Sequence, residues 1–488
     1  HDGFDMTNLS DLLPAGAASK QLSFTASGTI SSGQTVVLNT DGTISVVGET
    51  TQSAGSSVQI DNNVTDATAT VYDPDTNKII VCYSDAGDSN KGKAVVGTVS
   101  GTSISFGSEQ EFTSDSVYYT AATYDTTNDK LVVIYADTGD GYKGHAVVGT
   151  VSGNSISFGT INEFHNGAMY NPVKAVFMPN AGKIAVMFRD GSNSQYGTSQ
   201  LLTVSGTSIS GGAKVVFESA QILNTGGIVY DPDTQQVIIA YGDAGNSDDG
   251  TARVGQYDAG GYLAFASSAV VFETNALGYI SIAYDENASR ALIVYTDSGN
   301  SSYGTAIVGT VSGTNISFGT KATISTAAAQ QDFVPVYDSN AKKIAVLLQQ
   351  NSTGGMVYPI TISGSSFTVG TSSTLVGSSI SNTSAAFDST SNVVACTYKN
   401  SSNQITGQIF KNTSTNSGSF LGIADAAISN AASGKVTMKG GIAASGLSGL
   451  TPNATYYVQD NGTLSTTSSS VTAGKAMSAT SINLDYST

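Results

Sequence analysis

The chain has 488 residues, of which 54 are glycine, 8 proline and none tryptophan, with 40% hydrophobic and 12% charged residues. That apolar content can supply a core, which excludes a disordered polyelectrolyte, and the dominance of Ser, Thr, Gly and Val points to β-structure rather than a helical bundle. The net charge of −17 argues against nucleic acid or an anionic membrane surface as partner, and no apolar run is long enough for a membrane-spanning helix.

In chain order, residues 1–41 read as an N-terminal β segment with a hairpin over 28–39. Beyond it the chain repeats. An aromatic–Asp pair closes an apolar stretch at Tyr72-Asp73, Tyr124-Asp125, Tyr230-Asp231, Tyr284-Asp285, Tyr337-Asp338 and Phe387-Asp388, and Phe177-Met178 fills the middle of the one double gap. Seven units therefore follow one another at intervals of 50 to 54 residues.

Each unit holds four strand-like runs. The first, such as 67–72, mixes Ala, Thr and Val and ends on an aromatic residue. The second is continuously apolar, as in Ile79-Ile80-Val81-Cys82-Tyr83 and Leu131-Val132-Val133-Ile134-Tyr135, the pattern of a strand buried on both faces. The third (94–99) and fourth (103–106) alternate with period two. Asp73-Pro74-Asp75-Thr76 supplies a tight turn after the first strand, and Gly101-Thr102 a type II′ hairpin turn between the third and fourth. A unit with two apolar faces must stack on its neighbours, so the expected fold is all-β: a seven-bladed β-propeller of four-stranded antiparallel blades over 42–410. An open β-solenoid fits less well, because antiparallel hairpins fill each period.

The seventh unit lacks a fourth strand. Residues 42–49 match 101–109 once one position is skipped, so the segment 42–50 is expected to close the last blade. Residues 411–420 read as a polar linker and 421–488 as a small C-terminal β domain, forming with the N-terminal segment a β-rich appendage on the face of uniform turns. The opposite face carries the variable connections and is free for a partner. Cys82 and Cys396 fall on opposite faces of their strands and read as buried hydrophobes, not a disulfide.

Two sets of residues on the variable face are candidates for a site. Tyr142, Tyr196 and Tyr303, with His165 and Tyr170, place aromatic rings beside Asp and Asn, the combination that stacks on and hydrogen-bonds a sugar. The acidic loops contribute Asp85, Asp88, Asp137, Asp140, Asp243 and Asp297, each loop followed by a Gly at 92, 144, 250 or 304. Oxygen ligands spaced around Gly are the style of a calcium loop, but the distal bidentate Glu is absent and Asp–Gly is also common turn chemistry. The turn reading is preferred, with no cofactor expected and calcium the alternative. Three unclustered histidines and three arginines at non-equivalent positions support neither a Ser-His-Asp set, nor a zinc site, nor a sialidase-like arginine cluster. The expectation is a non-enzyme.

The N-terminal stretch ASGTISSGQTVVLNTDGTISVV (26–47), the C-terminal stretches FLGIADAAISNAASGKVTMKGGI (420–442) and GLTPNATYYVQDNGTLSTT (449–467), and the repeat YGTAIVGTVSGTNISFG (303–319) resemble bacteriophage virion proteins, especially tail-fibre and tail-associated proteins of marine phages. The resemblance implies an extracellular virion (tail) component, a homo-oligomer assembled with other tail proteins, that displays a propeller to host-surface glycan or protein. It brings no catalytic residue. The alternatives are a purely structural tail element, such as a nozzle-like or fibre-connecting ring, and a glycan depolymerase.

Overall fold

A computed structural model describes residues 20–266, 268–275, 277–327, 331–350 and 354–485. Strands make up 65% of the described residues and helix 3%, and the architecture is β-propeller-like. The chain divides into two compact units, residues 52–412 and residues 1–51 with 413–488.

Within 52–412 the repeat follows the pattern of apolar residues. In the first repeat, Val64–Asp73 pairs antiparallel with Lys78–Asp85, which pairs with Lys91–Ser100. The outer position is shared. Ser103–Phe106 lies along the second half of Lys91–Ser100, and the start of Gln110–Asp125 lies along its first half. The expected fourth strand is thus two segments, and the second continues as the inner strand of the next repeat. Repeats 1 to 4 are joined in this way into one 16-stranded sheet, whereas repeats 5, 6 and 7 each fall into a five-stranded sheet.

The turns have local causes. Asp73 Oδ1 accepts from the backbone N–H groups of Asp75 (2.9 Å) and Thr76 (3.1 Å), folding the link from first to second strand. Gly101 sits at φ +60°, the left-handed conformation required at the first position of a type II′ turn.

The second strands explain the packing. Alternate residues of Lys78–Asp85 face different neighbours: Ile80 and Cys82 join a core with Leu131, Val133 and Tyr135 of repeat 2, while Ile79, Val81 and Tyr83 join one with Val393, Ala395 and Ile409 of repeat 7. Equivalent cores link every repeat to the next. Cys82 and Cys396 lie in different cores, free and buried, and burial pushes both thiols up to about 12.

The strand that completes repeat 7 is not 42–50. Ser53–Ala54 and Val58–Asp61 pair with Ile405–Lys411, while Ile44–Val46 pairs with Thr35–Leu38 in the other unit. Packing decides this: Val58 and Ile60 lie against the core between repeats 7 and 1, whereas Ile44 is fully buried among Ile30, Val36, Ile428 and Val436. Residues 411–420 are likewise not a free linker. Lys411 ends a strand, Glu49 bridges to Thr415, and Asn416 Oδ1 accepts from the Gly48 N–H at 2.8 Å.

The smaller unit contains two five-stranded sheets. In one, Gln21–Thr25, Thr35–Leu38 and Ile44–Val46 from the N-terminal side assemble with Phe420–Ala424 and Ser433–Met438. The other is built entirely from residues 442–484.

Candidate functional site

The first strands of all seven repeats line one cavity of about 610 Å³. Each first strand carries a bulge where its register with the second strand slips, for example between Tyr118 and Ala121, Gly278 and Ser281, and Ser381 and Ser384. Tyr119, Tyr279, Asp332 and Asn382 take positive φ there (50 to 52°), conformations that cost a bulky residue about 1 kcal/mol or more. The lining is mostly polar, and several groups bond from repeat to repeat. Ser384 Oγ accepts from the Thr70 N–H at 2.8 Å, and Asp332 Oδ2 accepts from the Asn382 N–H at 2.9 Å. Lys174 also lines this cavity; desolvation pulls its ammonium below the ordinary lysine range, with the Asp332 carboxylate partly opposing the shift.

Beside the bulges of repeats 2 and 3 stands a cluster of four tyrosines. Tyr118 and Tyr119 have ring centroids 4.3 Å apart. Tyr119 is 6.4 Å from Tyr142 and from Tyr170, and Tyr142 and Tyr170 meet edge-on at 5.8 Å. The Arg189 guanidinium lies over the Tyr170 ring, 5.7 Å from its centroid, held by the pairing of Tyr170 with Arg189 across neighbouring strands. Tyr142 reaches the cluster because it occupies a left-handed loop position, φ +65°, with its N–H donating to the Asp137 carbonyl at 2.7 Å. The four rings are partly exposed, and Tyr119 also lines the cavity.

Of the five residues expected in a sugar site, the structure therefore joins two, Tyr142 and Tyr170. Tyr196 and Tyr303 open the third strands of repeats 3 and 5, opposite Asp190 and Asp297, and neither has a ring contact with the cluster. His165 is corrected outright. It is 1% exposed, its Nε2 is 3.3 Å from Asp190 Oδ1, its Nδ1 is 3.3 Å from Lys214 Nζ, and its ring packs 4.8 Å from Phe188. Desolvation pulls its pKa down, outweighing the pull of Asp190. Sequence reading missed Tyr118 and Tyr119, which look like ordinary strand aromatics, and set Arg189 aside because it matched no other arginine.

The acidic loops form short 3₁₀ turns. Asp85, Asp137, Asp243 and Asp297 cap them, each Oδ1 accepting from the Gly N–H two residues on at 2.8 to 3.0 Å. Asp88 is bridged by Lys91 and Lys93, and Asp140 by Lys143. The six aspartates belong to four repeats and share no common shell. Two other groupings bring ligand atoms within 4.8 Å of one another and are the residues that could hold a metal: Asp61 with Asp85 and Glu109, and Asp140 with His145 and Glu163. An ammonium already reaches into each. Lys93 Nζ is 3.8 Å from Glu109, and Lys143 Nζ lies 3.0 and 3.2 Å from Asp140 and Glu163. The glycines after the loops serve packing: a Cβ on Gly92 would fall 2.2 Å from the Phe112 ring.

No family model and no curated protein matches the sequence. Among solved structures, the chain is similar to a lectin from Burkholderia pseudomallei, with a TM-score of 0.51 and 11% identity over 73% of this chain and 98% of that one. It is also similar to a periplasmic gluconolactonase of Pseudomonas aeruginosa, with a TM-score of 0.48 and 11% identity over 74% of this chain and 97% of that one. Likeness at this identity bears on fold alone. The class of protein so defined is a nearly all-β, β-propeller-like one.

Proposed function

We propose that residues 52–412 form a seven-bladed β-propeller that binds a host-surface glycan beside its central cavity, as the display domain of a bacteriophage tail-fibre or tail-associated protein. Support for seven blades comes from the seven inter-repeat cores, including the one between repeats 7 and 1, and from the single cavity lined by all seven first strands. The observation that carries the binding role is the cluster of Tyr118, Tyr119, Tyr142 and Tyr170 beside that polar cavity. Partly exposed rings offer stacking faces to the C–H faces of a pyranose, and the Asn and Thr groups of the lining supply donors and acceptors. Binding without cleavage is favoured because carboxylates on this face are occupied by turn N–H groups, lysines or tyrosine hydroxyls. The virion setting rests on the resemblance of the terminal segments and the repeat.

The test is binding of the purified chain to host cells and to a panel of host-surface oligosaccharides, compared with a Tyr119→Ala/Tyr142→Ala/Tyr170→Ala variant whose fold is checked by circular dichroism. Each lost ring contact is worth about 0.5–1.5 kcal/mol, so binding is expected to fall by tenfold or more. Undiminished binding by the folded triple variant would remove the tyrosine cluster from the function.

A further inference from the structure

We infer that the saccharide bound beside the tyrosine cluster is anionic, carrying a carboxylate or sulfate that docks on Arg189; this rests on the glycan-binding reading above. A chain of net charge −17 repels anions in general, so an unanswered cation on it stands out. Around the ends of the second strands most cations are answered. Lys91, Lys93, Lys143, Lys214, Arg253 and Lys321 each lie within 4 Å of a carboxylate. Arg189 has no such partner among the described residues. Its Nη1 reaches only the Ile222 carbonyl, at 3.5 Å, and its Nε is buried with no acceptor. The Nε of Arg253 is likewise buried without an acceptor, so the contrast lies at the Nη groups: Arg253 Nη1 donates to the Ala266 carbonyl at 3.0 Å and its Nη2 sits 3.9 Å from Glu218.

The Nη end of a half-buried guanidinium with no carboxylate beside it is poised for a planar anion, which Nη1 and Nη2 can hold by paired charge-assisted hydrogen bonds. Tyr170 packs against the guanidinium and, being half-buried, leaves part of its surface for the sugar ring.

The experiment titrates the full chain calorimetrically with three probes: an oligogalacturonate, the same oligosaccharide with its carboxyl groups reduced, and a sulfated galactan oligosaccharide. At least one anionic probe is expected to bind tenfold or more tighter than the neutral one, by an amount that shrinks with salt. Arg189→Gln should bring that ratio to about one, and Arg189→Lys, which keeps charge and loses the fork, should leave an intermediate ratio. Thermal melts confirm that both variants fold. The two arginine variants provide independent tests, so misfolding of one leaves the other to decide. If the neutral probe binds as well as the anionic ones, or the ratio survives Arg189→Gln, the anion inference fails while the glycan reading stands. If no probe binds, the anion inference fails, and the glycan reading is decided by the host-surface panel and the tyrosine variant.

Discussion

Repeats 3 and 5 share a framework but use their charges in opposite ways. In repeat 5 the second strand ends on Tyr295 and Asp297, and Glu273 reaches in from repeat 4. Lys321 bonds to Glu273 and lies 2.9 Å from Asp297, and the Tyr295 hydroxyl donates to Glu273 at 3.0 Å. The two carboxylates are 3% and 1% exposed, and the ammonium supplies the charge that makes their burial tolerable. In repeat 3 the equivalent niche holds Phe188, Asp190, His165 and Lys214. Lys214 answers Asp190, but Arg189, one residue earlier on the strand, points its charge at a tyrosine face and is left unanswered. A closed niche joins two repeats; an open cation leaves binding capacity on the surface.

The sharpest way to break this comparison is Lys321→Met. It strands two buried carboxylates, and unfolding in denaturant should show a loss of about 2–3 kcal/mol, less than the roughly 3–5 kcal/mol of a fully buried pair because the lysine itself is 41% exposed. A change near zero would mean that the niche does not hold repeats 4 and 5 together.

Gly250→Ala attacks the same niche by volume. The new Cβ would lie 2.4 Å from Leu277 Cδ2 and 2.6 Å from the Phe272 ring, and the overpacking should cost about 1–3 kcal/mol, read as a lowered melting temperature. Wild-type stability here would show that the backbone pairing relaxes at no cost.

Repeat 1 allows the comparison to be engineered. Glu109 follows its hairpin strand, Ser103–Phe106, as Lys321 follows Asn315–Phe318, and the niche then gathers three carboxylates, Asp61, Asp85 and Glu109. Burial and the two neighbouring acids push the Asp61 carboxyl up. Glu109→Lys combined with Lys93→Thr, which removes the ammonium 3.8 Å from Glu109 and supplies the residue that faces Tyr295 in repeat 5, should convert it to that arrangement and raise stability by up to about 1 kcal/mol, modest because the site is half exposed. A destabilised variant would show that Tyr83, whose hydroxyl donates to Glu109 at 2.9 Å, depends on that acceptor.

The smallest effect concerns pH. His165 has a folded pKa below the unfolded value of about 6.5, so it is held neutral while the unfolded chain takes up a proton. Its contribution is complete above the unfolded pKa and is lost as pH falls through that value towards the folded one. Lys214 adds to the desolvation that lowers the folded pKa, and Asp190 opposes it. Comparing denaturant midpoints at about pH 8 and about pH 5.5 for the wild type and His165→Phe should show a steeper decline in the wild type. Equal slopes would place the His165 proton equilibrium outside the stability of the fold.

Much of the fold was legible because its causes are local. The buried run Ile79–Tyr83, the Asp73 turn and the Gly101 hairpin each follow from a few adjacent residues, and the structure contains them where the sequence puts them. The candidate site was only half legible. Tyr142 and Tyr170 were visible as loop aromatics. Tyr118 and Tyr119 were not, because a bulge that turns two consecutive strand residues towards one cluster leaves no mark in a period-two pattern. His165 was misplaced for the converse reason: it reads as a polar loop residue, but its neighbour across the repeat boundary is a buried aspartate.

By itself the sequence determined the repeat, its strands and its turns, since these depend on the alternation of side chains and on the backbone preferences of Gly, Pro and Asp. Only the tertiary structure decided which of two similar N-terminal segments completes the seventh repeat. Residues 44–46 and 58–61 both suit a strand, and the choice fell to the cores that receive Ile44 on one side and Val58 and Ile60 on the other. Tertiary structure likewise decided which charges are answered. Arg189 and Lys321 look alike in sequence, as lone cations near an acidic turn, and differ because repeat 4 sends a carboxylate to Lys321 whereas Arg189 meets only a tyrosine ring and a backbone carbonyl.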